Sequence, residues 1–168
     1  MGAPIGAHER VLFAGRDVTG AAVVATGWAL YHQPQAGPGQ AWLRLGWEDV
    51  GRVAWAEGSG ILTLTALPCS GSSRLVLPLS GHAPLVELAR ERVASTLLGG
   101  TLVWHRDRAC AQVIARRRPG TDQVSWILAF SRAEDIDDAG VQAQVALAIT
   151  ELQEEIGPAI AERHRRVS

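Results

Sequence analysis

The chain has 168 residues, about the length of one ordinary domain, and 47% of them are hydrophobic while 20% are charged. This composition excludes an intrinsically disordered protein and predicts a folded globular one. Its 16 basic and 17 acidic residues leave a net charge of -1, so no strong overall field draws it to nucleic acid or to an acidic membrane. All the basic residues are arginine, which together with abundant Ala and Gly indicates a GC-rich coding genome.

Only two cysteines occur, Cys69 and Cys110, and a chain with a good core does not need a disulfide. The N-terminal residues show no basic region followed by an apolar run, and no later segment approaches the ~18 apolar residues of a membrane span. We therefore expect a cytoplasmic protein, with peripheral attachment to a membrane as the alternative.

The first 80 residues alternate between short β-type runs and turn residues, which predicts an antiparallel meander. In the clearest run, Leu62 and Leu64 share one face while Thr63 and Thr65 share the other, a period of two. The six predicted strands cover residues 10–14, 21–32, 41–47, 51–56, 61–67 and 74–79. Several of them place apolar residues on one face, so we expect the sheet to curl around a core.

The period becomes helical over residues 82–98, where Pro84 suits a first turn and Gly99-Gly100 is predicted to end the helix. Strands are then predicted over 101–105, 110–116 and 123–130. A second helix follows, capped by Asp137 or Asp138 and ended by Gly157-Pro158 before an Arg-rich tail. We expect an α+β protein with two parts, 1–99 and 100–168, which form one compact unit.

The segment LGWEDVGRVAW, which follows TGWALYH, resembles bacterial pleckstrin-homology-like and GRAM-like domains over residues 1–98. The resemblance implies a half-open barrel closed by a helix, which binds a lipid headgroup, a peptide or a protein and has no shared catalytic residue. Members that bind phosphoinositides carry a basic signature between the first two strands. This chain has only Arg16, beside Asp17, in that place.

No cofactor or metal is expected. Cys69, His82, His105 and Cys110 could suggest zinc, but they lack the close spacing of metal ligands. Cys110 with His105 or His82 could form the nucleophile of a small hydrolase, although no catalytic motif surrounds them. We therefore regard an enzyme as the least favoured class of function.

The densest positive charge is the run Arg116, Arg117 and Arg118, which could bind the phosphate of an anionic lipid, with Arg163, Arg165 and Arg166 adding to the patch. No aromatic residue flanks this run, so nucleic acid is not an expected partner. The alternative interpretation is solvated charge at the tip of a hairpin.

Six tryptophans are many for this length, and most are expected to pack in the sheets. If several share an exposed face they mark an interaction surface, for which the candidates are Trp42, Trp47 and Trp55. The apolar stripe on the second helix is expected to dock on its own sheet, and the alternative is a homodimer through Val141, Val145, Ile149 and Leu152. The leading prediction is a non-catalytic module that binds a protein or peptide.

Overall fold

A computed structural model describes residues 2–34, 41–67, 74–80 and 84–157, together with the backbone of 161–167. The chain divides into two compact units, residues 1–95 and 96–168. The sequence placed this division at 99/100, four residues later, because it started the next strand at Thr101 instead of Leu97. Each unit has its own apolar core, and the chain is α+β.

Unit 1 contains two antiparallel meanders followed by a helix. The first sheet has the order β1 (Val11–Arg16), β2 (Ala22–Thr26), β3 (Ala29–Gln33) and β4 (Leu43–Gly46). The second has the order β5 (Val50–Ala56), β6 (Ile61–Ala66) and β7 (Arg74–Pro78), and α1 spans Pro84–Thr96. The predicted antiparallel meander is confirmed, but the described strands form two separate sheets and no closed barrel.

The strand predicted over 21–32 is wrong, because a turn at Gly27 and Trp28 divides it into β2 and β3. The Thr26 hydroxyl accepts the N–H groups of Trp28 (3.1 Å) and Ala29 (3.0 Å). A short polar side chain that binds the backbone just ahead of it favours a turn over a continuous strand. Among the described residues, seven strands therefore precede α1, one more than expected.

The core of unit 1 forms where both sheets and α1 turn their apolar faces inward. β6 alternates as its sequence predicts, and its two leucines are fully buried. The largest fully buried side chains of this core are Leu30, Trp47, Leu62, Leu64, Leu77 and Leu85.

Unit 2 is a four-stranded sheet with one helix. Its order is β11 (Ala161–Val167), β10 (Gln123–Phe130), β9 (Arg108–Arg117) and β8 (Leu97–His105), and β11 runs parallel to β10. The predicted helix end at Gly99-Gly100 is wrong, since α1 ends at Thr96 and both glycines lie in β8. A Cβ on Gly99 would lie 3.3 Å from Leu152 Cδ2, so α2 packs closely against this part of β8.

The second helix, α2, spans Ala139–Ile156, and its predicted cap is confirmed at Asp138, which accepts the N–H groups of Gly140 (2.8 Å) and Val141 (3.0 Å). Its apolar stripe packs in the core of unit 2, as expected. Of the residues proposed for a homodimer, Val141, Val145 and Leu152 are buried and Ile149 packs against the same core. This stripe is therefore not a free dimer surface.

Neither helix that the structure describes is long and apolar enough to cross a membrane.

Candidate binding groove

The three tryptophans proposed as an interaction surface do not share an exposed face. Trp47 is fully buried, and its indole N–H donates to Thr26 O (2.9 Å), so its assignment to a surface is wrong. Trp42 and Trp55 are half-buried. The exposed indole is Trp104, which is 59% exposed on β8. The alternation around the buried Val103 was the signal that could have identified it.

The three arginines of the proposed anion site do not form one cluster. Arg116 is only 7% exposed, and its guanidinium donates to the Thr96 hydroxyl (3.2 Å), whereas Arg117 and Arg118 are exposed. Because side chains alternate along a strand, Arg116 points to the opposite face of the sheet from Arg117. The run therefore supplies two surface cations, Arg117 and Arg118. The Arg-rich tail is a strand, β11, in which Arg163 pairs in register with Ser125 of β10.

Of the groups considered for catalysis or metal binding, the structure describes Cys110 and His105. Cys110 is fully buried in the core of unit 2, where its thiol donates to Val103 O (3.2 Å) and solvent has no access. The His105 ring lies beside the cap of α2, with its Nε2 3.9 Å from Asp138 Oδ1. Cys69 and His82 lie outside the described residues. The residues that are described contain no cluster that could hold a metal ion.

Unit 1 carries an open groove between β1 and α1, with a volume of about 350 Å³. Its walls combine apolar side chains with two carboxylates: Leu12, Phe13, Pro84, Glu87, Leu88 and Glu91. Phe13 and Leu88 also pack against the core of the unit, so the floor of the groove is fixed by the same contacts that stabilise the fold.

The β1 side of the groove lies at an irregularity of the strand, where the register with β2 shifts between Val11 and Phe13 and the neighbouring residues Leu12 and Phe13 both line the groove. Leu12 is 41% exposed, while Phe13 is half-buried and its ring covers Gly15, on which a Cβ would lie 2.9 Å from Cζ. Gly15 thus leaves room for the aromatic ring to lie flat along the strand. β1 is also the terminal strand of its sheet, with β2 on one side only.

The α1 side of the groove is acidic. Glu87 and Glu91 lie one helical turn apart, which places them on the same face. Glu87 pairs with Arg90 (2.9 Å) and Glu91 with Arg92, but both carboxylates remain more than half exposed. Exposed ion pairs of this kind contribute little to stability, so a cationic side chain of a ligand can replace the arginine at small cost in free energy.

Two carboxylates hold β1 in place at its two ends. Before the strand, Glu9 accepts the hydroxyls of Thr26 (2.6 Å) and Tyr31 (2.7 Å). After it, Asp17 accepts the Thr19 hydroxyl (2.5 Å) and the N–H groups of Thr19 (2.8 Å) and Ala21 (3.0 Å). The bonds of Glu9 join the start of β1 to β2 and β3, and those of Asp17 fix the turn between β1 and β2.

The protonation of both carboxylates reflects these contacts. Burial raises the pKa of Glu9, but hydrogen bonds from Thr26, Tyr31 and the Gly6 N–H outweigh it, so the pKa lies below its usual value. Burial likewise opposes ionisation of Asp17, and hydrogen bonds from Thr19 and Ala21 again lower its pKa. Both groups are therefore ionised at neutral pH, when they hold β1 most firmly.

Comparison of the chain with protein-family models, with curated proteins and with solved structures finds no match.

Proposed function

We propose that the chain is a non-catalytic interaction module of pleckstrin-homology-like type, and that unit 1 binds a short extended peptide in the groove between β1 and α1. The observation that carries the proposal is this apolar groove, which lies beside a terminal strand and has an acidic wall. Two meanders followed by a helix also support the pleckstrin-homology-like assignment.

The walls of the groove define the chemistry of the peptide. Leu12, Phe13 and Leu88 supply apolar contact for one or two side chains, which is what a volume of about 350 Å³ accommodates. The exposed carboxylates of Glu87 and Glu91 favour a Lys or Arg next to those side chains. The open edge of β1 can supply main-chain hydrogen bonds to an extended segment, the usual way in which a strand adds to a sheet.

A library of random displayed peptides, selected on the full chain, tests the proposal. We expect enriched sequences that combine apolar residues with Lys or Arg. Their affinity should fall about tenfold or more for Leu12→Ser and for the charge reversal Glu87→Arg with Glu91→Arg, because these changes remove the apolar wall and the acidic wall separately.

The matched control is Val76→Ser, which changes another exposed apolar residue of unit 1, on β7, and should leave the affinity unchanged. Enriched peptides that bind Leu12→Ser and the charge-reversed variant as tightly as the parent chain would contradict the proposal. So would a selection that enriches no sequence.

The second candidate function is peripheral binding to anionic lipid, which the exposed positions of Arg117 and Arg118 favour. Vesicles of phosphatidylserine in phosphatidylcholine should then bind the chain, and binding should weaken with salt and in Arg117→Ala/Arg118→Ala. Binding that is unchanged in this double variant would exclude the arginines as the lipid site.

A further inference from the structure

β8 is a terminal strand whose outer edge is open. It is nine residues long, it is the last strand of its sheet, and no other strand among the described residues pairs with its outer side. An open strand of this length presents a row of main-chain N–H and C=O groups that can pair with another chain. The residues along this edge therefore decide whether another strand can pair with it.

The edge lacks the charges and prolines that usually protect such strands. From Leu97 to His105 there is no Asp, Glu, Lys, Arg or Pro. Irregularities of register with β9 fall between Leu97 and Gly99 and between Val103 and Trp104, which leaves residues 99–103 as a regular ladder. This regular central part of β8 is free to continue the sheet.

The outer face of β8 is apolar. Leu97, Leu102 and Trp104 are 52%, 53% and 59% exposed, while Val103 between the last two is buried in the core of unit 2. Alternation therefore places Leu102 and Trp104 on the face opposite α2. Tryptophan is enriched at the centres of protein interfaces, and Leu102 adds exposed apolar area beside Trp104.

We propose that β8 pairs antiparallel with β8 of a second copy of this chain, so that two sheets of unit 2 continue as one across a two-fold axis. The inference is independent of the peptide groove, which belongs to unit 1. A two-fold axis at Leu102 places this residue opposite its own copy and places Trp104 opposite the copy's Gly100. Gly100 has no side chain and leaves room for the indole ring.

The absence of charged residues on β8 favours a second copy of the chain as the partner. The strand offers no ion pair to a charged segment, whereas its own copy is uncharged over the same length and brings no like charges together. Two exposed side chains per copy, Leu102 and Trp104, fall short of the roughly 1,200 Å² buried in stable interfaces. The dimer is therefore weak and dissociates on dilution.

Sedimentation velocity of the full chain over a series of concentrations tests the inference. We expect a reversible monomer–dimer equilibrium in the parent chain and an association at least tenfold weaker in Leu102→Lys and in Leu102→Glu, since each places like charges on the two-fold axis. An equimolar mixture of these two variants should associate again, because Lys then faces Glu.

Leu147→Lys is the matched control, since Leu147 is an equally exposed leucine on α2, and it should dimerise like the parent chain. Far-ultraviolet circular dichroism checks that each variant is folded, and Trp104→Lys replaces any variant that is not. A chain that is monomeric at every concentration overturns the proposal. So does a dimer that Leu102→Lys leaves unchanged, or a mixture of the two variants that fails to associate.

Discussion

At the scale of single residues, two tryptophans show that the same residue type can lie in the core or on the surface. Trp47 is fully buried with its N–H bonded to Thr26 O, and Trp104 is 59% exposed. Trp47 follows the alternating residues 43–46, whereas Trp104 directly follows the apolar pair Leu102-Val103. Alternation around the buried Val103 places Trp104 on the surface, and tertiary contacts bury Trp47.

Replacing these two residues by alanine should therefore have very different effects. Trp47→Ala should lower the free energy of unfolding by roughly 3–5 kcal/mol, because it leaves a cavity and an unpaired carbonyl. Trp104→Ala should change it by less than about 0.5 kcal/mol. Urea unfolding at low protein concentration measures both, and similar losses in the two variants would contradict the assignment of core and surface.

Asp17 should contribute to the pH dependence of stability. Because its pKa is lower in the folded state, the ionised carboxyl stabilises the fold above its unfolded pKa of roughly 3.9, and this contribution is lost as the pH falls through the folded pKa. Asp17→Asn should be less stable than the parent chain at pH 7, and the difference should shrink below about pH 4. A difference that is constant from pH 7 to the acid limit would show that the charge of Asp17 does not matter.

At the scale of elements, the turn between β8 and β9 is not optimised for stability. Its two residues, Arg106 and Asp107, have φ angles of 50° and 61°, a left-handed conformation that Asn and Gly adopt far more readily than Arg. The turn nevertheless holds β8 and β9 in register, with His105 opposite Arg108.

The double substitution Arg106→Asn/Asp107→Gly should therefore raise the free energy of unfolding by about 1 kcal/mol, measured by thermal or urea unfolding. Arg106→Ala is the control, because it removes the charge but keeps a Cβ at positive φ, and it should give no gain. Equal stabilisation by both changes would assign the effect to charge instead of backbone conformation.

Several elements could be predicted from sequence because their signals are local. The alternation in β6, the cap at Asp138 and the apolar stripe of α2 each depend on residues a few positions apart. The errors arose where pairing with another strand decides the structure. Gly99 and Gly100 lie in a strand because they pair with Ala115 and Ile114 of β9, and the tail forms β11 by pairing with β10.

The groove could not be predicted from the sequence, because it depends on residues that are distant along the chain. It brings together Leu12 and Phe13 of β1 and residues of α1 more than 70 positions later, so no sequence motif predicts it. Tryptophan content indicated an interaction surface in general terms, but strand parity and burial decide that Trp104 is the exposed residue. The arginine run was read as one patch, and alternation along β9 divides it.

At the scale of the whole molecule, the chain has two units with separate cores, and each presents a different open strand. Unit 1 presents β1 beside two exposed glutamates of α1, and unit 2 presents an uncharged β8. The first suits a basic, apolar peptide, and the second suits a strand like itself. A dimer formed through unit 2 would carry two peptide grooves and strengthen binding to any partner that repeats the motif.

The central claim is that unit 1 binds a peptide in the groove between β1 and α1. The most direct measurement is a titration of the isotope-labelled full chain with a synthetic copy of an enriched peptide, followed by amide NMR. We expect the largest saturable shifts at Leu12 and Phe13 and along α1 from Leu88 to Glu91, with little change in β8. Saturable shifts confined to other parts of the chain, or no saturable shifts at all, would contradict the account.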